Sequence, residues 1–188
     1  MNNKEQTPFQ TTPFTHDEFY KRYYVHRVAG GAVTVKDDKV LIVKELRRNK
    51  YIWGIPGGLL EKGEPLLSGV KREVKEETNI EIEPFCLLGF NNWAGKSIFK
   101  EDPYRHAGFT IFLGANYVSG DPQPDGEEVF ECKFVSMEEL QEFEFAQHLQ
   151  YIVDMFNAIK KKNYLVLSKN ELLSENTYRF MFKPSNFE

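Results

Sequence analysis

The sequence predicts an α/β domain built on a mixed sheet, from three observations. Val40, Leu41, Ile42 and Val43 form a continuous apolar run flanked by charge, as in a strand covered on both faces. Residues 65–78 place Leu67, Val70 and Val74 on one stripe at about 100° per residue, the pattern of a helix packed on a sheet. Residues 106–118 read as a strand, with Phe109, Ile111 and Leu113 on one face by period two.

Bulk composition sets the frame. A chain of 188 residues is long enough for one domain with a substantial core, with or without extensions. Hydrophobic residues at 41 % and charged residues at 28 % give an ordinary soluble balance rather than a disordered one. A net charge of −4 argues against a bulk nucleic-acid partner, which needs a broad basic surface, and leaves room for a local basic pocket. Cys86 and Cys132 are too few for a disulfide scaffold, suit a reducing compartment, and lack metal-ligand spacing; both are expected to be buried, inert thiols. The opening residues, MNNKEQTPFQTTPF, lack the apolar core of a signal peptide. No run approaches the roughly 20 apolar residues of a membrane span. The expectation is a cytoplasmic protein with no membrane segment.

In chain order, residues 1–24 are read as an N-terminal extension: a polar tail with Phe9 and Phe14 as pins, then a short helix over 16–24. Residues 25–163 are read as the domain. A strand over 25–35 is interrupted at Gly30-Gly31, marking a close backbone approach or a bulge. A turn at 36–39 leads into the 40–43 strand, making a hairpin. Arg47, Arg48 and Lys50 fall in a loop, and residues 53–58, WGIPGG, form a rigid turn. In the 65–78 helix, Pro65 suits the first turn and Glu64 favours the positive end of the dipole. Asn79 ends it. Residues 80–88 are a strand around Pro84, and 91–105 a polar, aromatic and basic loop or hairpin tip. After the 106–118 strand, 119–126 is turn-rich and 130–135 is another strand. Residues 136–139 open a helix with a capping-box pattern, and 145–162 suit a longer helix. Residues 164–188 are a C-terminal extension, in which 165–167 and 178–182 are set to pair as strands. Its expected roles are to cover the core, build a homodimer interface or shape specificity.

The stretch that carries chemistry is residues 58–80, GLLEKGEPLLSGVKREVKEETNI. Glu73, Glu76 and Glu77 stand at i, i+3 and i+4, so their charges repel on one helix face. Three glutamates alone are most simply a solvated acidic face. Here Arg72 lies four residues before Glu76, positioned to brace the cluster, and a Gly-Gly turn sits just upstream. A divalent cation would convert the repulsion into binding, and oxygen-only ligands favour Mg2+ or Mn2+ over zinc. The stretch resembles the signature of the Nudix hydrolases, G-x5-E-x7-R-E-U-x-E-E-x-G-U with U a bulky aliphatic residue. Gly58, Glu64, Arg72, Glu73, Val74, Glu76, Glu77 and Ile80 fit at the required spacing. The last glycine of the pattern is replaced by Asn79. Asn is the next-best residue in the left-handed conformation that glycine permits there, so the expected effect is a small stability cost.

The resemblance implies a Nudix-type, MutT-like α/β/α sandwich with a mixed β-sheet, in which the signature forms a loop-helix-loop. Carried over by position, Glu73, Glu76, Glu77 and the carbonyl of Gly58 would be metal ligands, with Glu64 assisting. Glu73 and Glu76 would carry catalysis, and Arg72 would orient the glutamates. A further acid would come from outside the signature; Glu127, Glu128 and Glu131 are candidates, and Glu128 is preferred. The implied reaction is Mg2+-dependent hydrolysis of a phosphoanhydride in a nucleoside diphosphate linked to another moiety X. The substrate would be a small-molecule nucleotide. Arg47, Arg48, Lys96, Lys100 and Arg105 are candidates for its phosphates, and Trp93, Phe99 and Tyr104 for stacking on a base. Two rival readings stand beside this one. One is a nucleotide-binding sensor without turnover. The other is an isoprenoid isomerase of the same fold, which wants a catalytic cysteine near the metal.

Overall fold

The first two strands, β1 (Arg27–Lys36) and β2 (Lys39–Arg47), form a hairpin whose turn residues Asp37 and Asp38 both have positive φ, 47° and 59°. That is the twist-matched geometry of a tight hairpin, and Asp tolerates it. The computed structural model describes residues 27–47, 49–95, 106–143, 149–169 and 178–181. The expectations for residues 1–24, for Lys96, Phe99, Lys100, Tyr104 and Arg105, and for Arg48 lie outside these, as do those for the side chains of Arg47 and Trp93.

Beyond the hairpin come β3 (Lys50–Gly54), β4 (Gly57–Leu59), helix α1 (Leu66–Thr78), β5 (Glu81–Gly95), β6 (His106–Ser119) and β7 (Val129–Val135). A single 3-10 turn (Glu139–Glu142), helix α2 (Leu149–Lys160), β8 (Leu165–Lys169) and β9 (Tyr178–Met181) complete the order. The hydrogen-bonded path is β3-β2-β1-β6-β5-β8-β9, with β4 paired to β1 and β7 to β2. Strand β1 runs parallel to β6 and antiparallel to β4, so the sheet is mixed.

Side-chain alternation sorts the core into two layers. Ala32, Leu41, Leu113 and Ala115 face α1, meeting Leu67, Val70 and Val74. Val33, Val40 and Ile42 face the other way and meet Leu140, Ile152, Met155 and Phe156. Successive residues of β1 and β2 therefore serve opposite layers, which is why residues 40–43 read as an unbroken apolar run. The expected α/β/α layering is what the chain adopts.

Several boundaries differ from expectation. At Gly30 and Gly31 the expected close backbone approach is what forms, without a bulge or a break: β1 runs through, and Gly30 and Gly31 pair with Gly58 and Gly57 of β4 while Val70 packs on Gly30. The loop expected at Arg47–Lys50 is the tight turn of the β2–β3 hairpin, with Asn49 at φ 64° and Arg47 paired to Lys50. Helix α1 starts one residue late, because Pro65 is its extended cap (φ −65°, ψ 142°) rather than part of its first turn. Strand β5 continues through Asn91–Gly95, where a loop or hairpin tip was expected, because β6 pairs antiparallel with it that far. Pro84 is accommodated by a register shift between Pro84 and Cys86. The capping box is real, with Ser136 and Glu139 bonded reciprocally, yet it closes only the 3-10 turn. Residues 165–169 and 178–181 do pair, and β8 adds to the sheet beside β5. Cys86 is buried and its thiol is pushed up to about 12 by burial. Cys132 is only half-buried, contrary to expectation, though burial still pushes its thiol up to about 11. Among the described residues no helix is long and apolar enough to cross a membrane.

Candidate functional site

Helix α1 buries its apolar stripe and so turns its acidic stripe toward the β4 turn. Glu73 is the first consequence. Its carboxylate lies so close to Gly58 that a Cβ on that residue would overlap it, so any side chain there would displace the Glu73 carboxylate. Glu77 is 5 % exposed and accepts a hydrogen bond from the Gly57 N–H at 2.9 Å. Glu76 stays at the rim, with its side chain 60 % exposed.

Arg72 binds more of the cluster than its sequence position suggests. Its Nη1 donates to Glu73 Oε1 and to Glu76 Oε2, both at 2.9 Å. Its Nε and Nη2 donate to the two oxygens of Glu64, also at 2.9 Å, and Nη2 reaches the Leu59 carbonyl at 3.3 Å. The guanidinium thus fastens the β4 loop to the helix. Glu64 is drawn into this ion pair and accepts the Glu61 N–H, rather than capping α1.

The opposite wall comes from the segment between β6 and β7. Asp125 Oδ1 accepts three backbone N–H groups, from Glu127, Glu128 and Val129, at 2.8, 3.0 and 2.9 Å. The same segment is tied to the end of α1: the Gln123 N–H donates to the Thr78 carbonyl at 2.9 Å, and Asn79 Nδ2 to the Asp121 carbonyl at 3.4 Å. Asn79 itself adopts the left-handed cap expected of it, at φ 59°. These ties bring Asp125, Glu127 and Glu128 onto one cavity of about 620 Å³ with Gly58, Leu59, Arg72, Glu73, Glu76 and Glu77.

The electrostatics follow from this crowding. Burial pushes the Glu77 carboxyl up from the ordinary 4.5 to about 8; the Gly57 N–H opposes this, and the charges of Glu45, Glu73 and Glu128 reinforce it. Glu73 is raised for the same first reason, burial, with Arg72 opposing. Glu64 is lowered to about 2 by its bonds from Arg72 and Glu61. Arg72 is held more strongly protonated by Glu64, Glu76 and Glu73. Among the described residues, no three acidic, histidine or cysteine side chains already converge as a cage. The donor chemistry nevertheless fits a hard divalent cation. The wall offers only oxygen donors, carries six carboxylates against one guanidinium, and holds two of the carboxyls protonation-prone, chiefly through burial.

A second cavity, of about 650 Å³, adjoins the first and shares Gly58 and Leu59 with it. Its walls are mainly apolar and aromatic, including Trp53, Phe90, Phe112 and Tyr151, with Glu45, Asn91 and Thr110 as polar points. Sequence reading missed this cavity, together with Glu45 and Asp125. The sequence signal for it is slight: Phe112 lies out of phase with Ile111 and Leu113 along β6 and so faces the opposite side of the sheet. Of the three acids considered outside the 58–80 stretch, Glu127 and Glu128 reach the acidic cavity, whereas Glu131 pairs with Lys44 away from it. Neither cysteine lines either cavity, which removes the support the isomerase reading required.

A family model described as the NUDIX domain matches residues 25–156. An ADP-ribose pyrophosphatase of Methanocaldococcus jannaschii is 31 % identical over 137 residues, covering 71 % of this chain and 75 % of that protein. An NAD-capped RNA hydrolase, NudC of Pseudomonas aeruginosa, is 26 % identical over 129 residues, which is 67 % of this chain but only 42 % of that protein. The chain therefore spans less than half the length of that relative. Among solved structures, a NUDIX hydrolase of Nitrosomonas europaea superposes with a TM-score of 0.57 at 25 % identity, over 72 % of this chain and 91 % of that one.

Proposed function

Because the chain belongs to the Nudix family, we propose that it hydrolyses a phosphoanhydride bond in a nucleoside diphosphate linked to another moiety, with Mg2+ or Mn2+ held in the acidic cavity. The observation that carries this reading is the union of Gly58, Glu73, Glu76, Glu77 and Glu128 on one cavity wall, with Arg72 fixing the helix to the loop. Gly58, Glu73, Glu76 and Glu77 would hold the cation. When bound, it would neutralise phosphate oxygens, align the anhydride and lower the pKa of the attacking water.

The chain's own groups supply the rest. Arg72 keeps its charge and its hydrogen bonds on the acids, so it positions them and leaves substrate contact to others. Glu64, pinned by Arg72, supports that geometry from behind. Glu128 sits on the exposed side of the cavity and is the acid we assign to take the proton from water. The products would be a nucleoside monophosphate and a phosphorylated partner. ADP-ribose is the first substrate to try, since a 31 % identical relative bears it in its name. The enzyme would act on small nucleotides in the cytoplasm, with residues 25–163 as its catalytic unit and the flanking residues as extensions.

The test is turnover of a panel of nucleotide conjugates with Mg2+, beside Glu77→Gln. The expected result is phosphate-bearing products from at least one conjugate and a loss on the order of 100-fold or more in the variant. Equal turnover by wild type and Glu77→Gln would remove the assignment of this cavity.

A further inference from the structure

Asn79 stands where the Nudix signature has glycine, and its side chain makes a contact that glycine lacks. Three contacts hold the segment leaving β6 against the end of α1. Gly120, at φ 99°, brings its backbone so close to the Asn79 carbonyl that a Cβ there would lie 2.2 Å from the oxygen. The Gln123 N–H donates to the Thr78 carbonyl at 2.9 Å. Asn79 Nδ2 donates to the Asp121 carbonyl at 3.4 Å. The first two use backbone alone and persist with any residue that fits the left-handed cap. The third depends on which residue stands at 79.

The cargo of this segment gives the third contact its importance. Asp125 gathers the N–H groups of Glu127, Glu128 and Val129, and Asp125, Glu127 and Glu128 line the acidic cavity with Glu73, Glu76 and Glu77 of α1. At the far end Val129 is held in the sheet, paired with Glu45 of β2. The near end is held at Thr78 and Asn79, immediately after the last glutamate of the helix. A backbone at φ 59° is met most easily by glycine, so the cap by itself does not call for asparagine; the Asp121 carbonyl does. Resting on the hydrolase reading above, in which Glu128 takes the proton from water, we propose that Asn79 is a positioning residue: its carboxamide latches the 121–129 segment to α1 and so seats Glu128 opposite the glutamates of the helix. Glycine in its place leaves two of the three contacts, and the segment then samples wider positions without unfolding.

The test uses the full chain and two variants. Asn79→Gly restores the signature residue and keeps the cap; Asn79→Asp keeps a side chain that tolerates the cap but carries no donor. Amide hydrogen exchange without substrate is expected to show protection at Gln123, Glu127, Glu128 and Val129 about threefold to tenfold weaker in both variants, relative to the amides of β1 and β6. With a conjugate that is turned over, kcat is expected to fall by a similar factor with KM little moved. That fall is expected to vanish when Glu128→Gln is already present, because Asn79 acts through Glu128. Protection unmoved at the four amides, or weakened equally in β1 and β6, overturns the proposal. So does a loss in Asn79→Gly alone, which assigns the effect to backbone freedom, or a double variant whose effects simply add. Because exchange is read without turnover, the expected loss of protection in a chain that hydrolyses no conjugate would uphold the latch and count against the hydrolase reading alone.

Discussion

Glu77 shows how one side chain can set the pH behaviour of the molecule. Its carboxyl is raised from the ordinary 4.5 to about 8, chiefly by burial, so the folded chain holds a proton that the unfolded chain gives up between those values. Linkage then fixes the sign: without metal, its contribution to stability is full below about 4.5 and is lost as pH rises through about 8. Urea unfolding in chelator at pH 5, 6, 7 and 8 should show stability falling with pH, with a shallower slope in Glu77→Gln. Saturating Mg2+ should reverse the trend, since it binds the carboxylate form. Glu64 behaves oppositely: its carboxyl is lowered to about 2, so its ion pair with Arg72 adds stability at neutral pH that disappears only in strong acid. A second residue offers a cleaner case. Thr34 is fully buried and its hydroxyl finds no hydrogen-bond partner among the described residues. Replacing it by the isosteric valine should raise unfolding free energy by about 1 kcal/mol, measured by chemical denaturation.

Among the elements, α1 was legible almost to the residue, because its apolar stripe, its acidic stripe and its Asn cap all obey the same helical period. The segment between β6 and β7 was legible only as turn-rich. Its function comes from contacts distant in sequence, Gln123 to Thr78 and Asn79 to Asp121, which no local pattern announces. The β2–β3 hairpin was likewise misread as a loop, and the far half of β5 as a loop or hairpin tip, because polar residues such as Asn91 and Lys50 become strand when a partner supplies the hydrogen bonds. Glu45 was passed over for a related reason: it lines a cavity that strands distant in sequence enclose together. Asp125 allows a test at this scale. Its carboxylate gathers three N–H groups that hold Glu127 and Glu128 against the helix. Asp125→Ala should lower kcat in the same direction as Glu128→Gln, and Asp125→Asn, which keeps an acceptor oxygen, should recover most of the loss. The alanine variant should also lose about 1 kcal/mol of stability, since water replaces the lost acceptor at these solvent-facing donors.

At the scale of the whole molecule, the sheet separates two tasks. The α1 layer carries the acids, and the α2 layer closes the aromatic cavity through Tyr151, Ile152 and Met155. The C-terminal strands lie on the β5 flank, far along the sheet path from the β2–β3 hairpin, and β8 hydrogen-bonds to β5. The two tasks meet at the β4 turn, since Gly58 and Leu59 belong to both cavities. Any coupling that this shared segment transmits between the two occupants is reciprocal by thermodynamic necessity. Whatever factor Mg2+ contributes to the affinity for a nucleotide conjugate, the conjugate must return to the affinity for Mg2+. Titrations run in both orders should close to the same coupling factor, and Gly58→Ala, which forces Glu73 away from the turn, should shrink that factor toward one. A three-residue strand would then be the link through which each ligand senses the other.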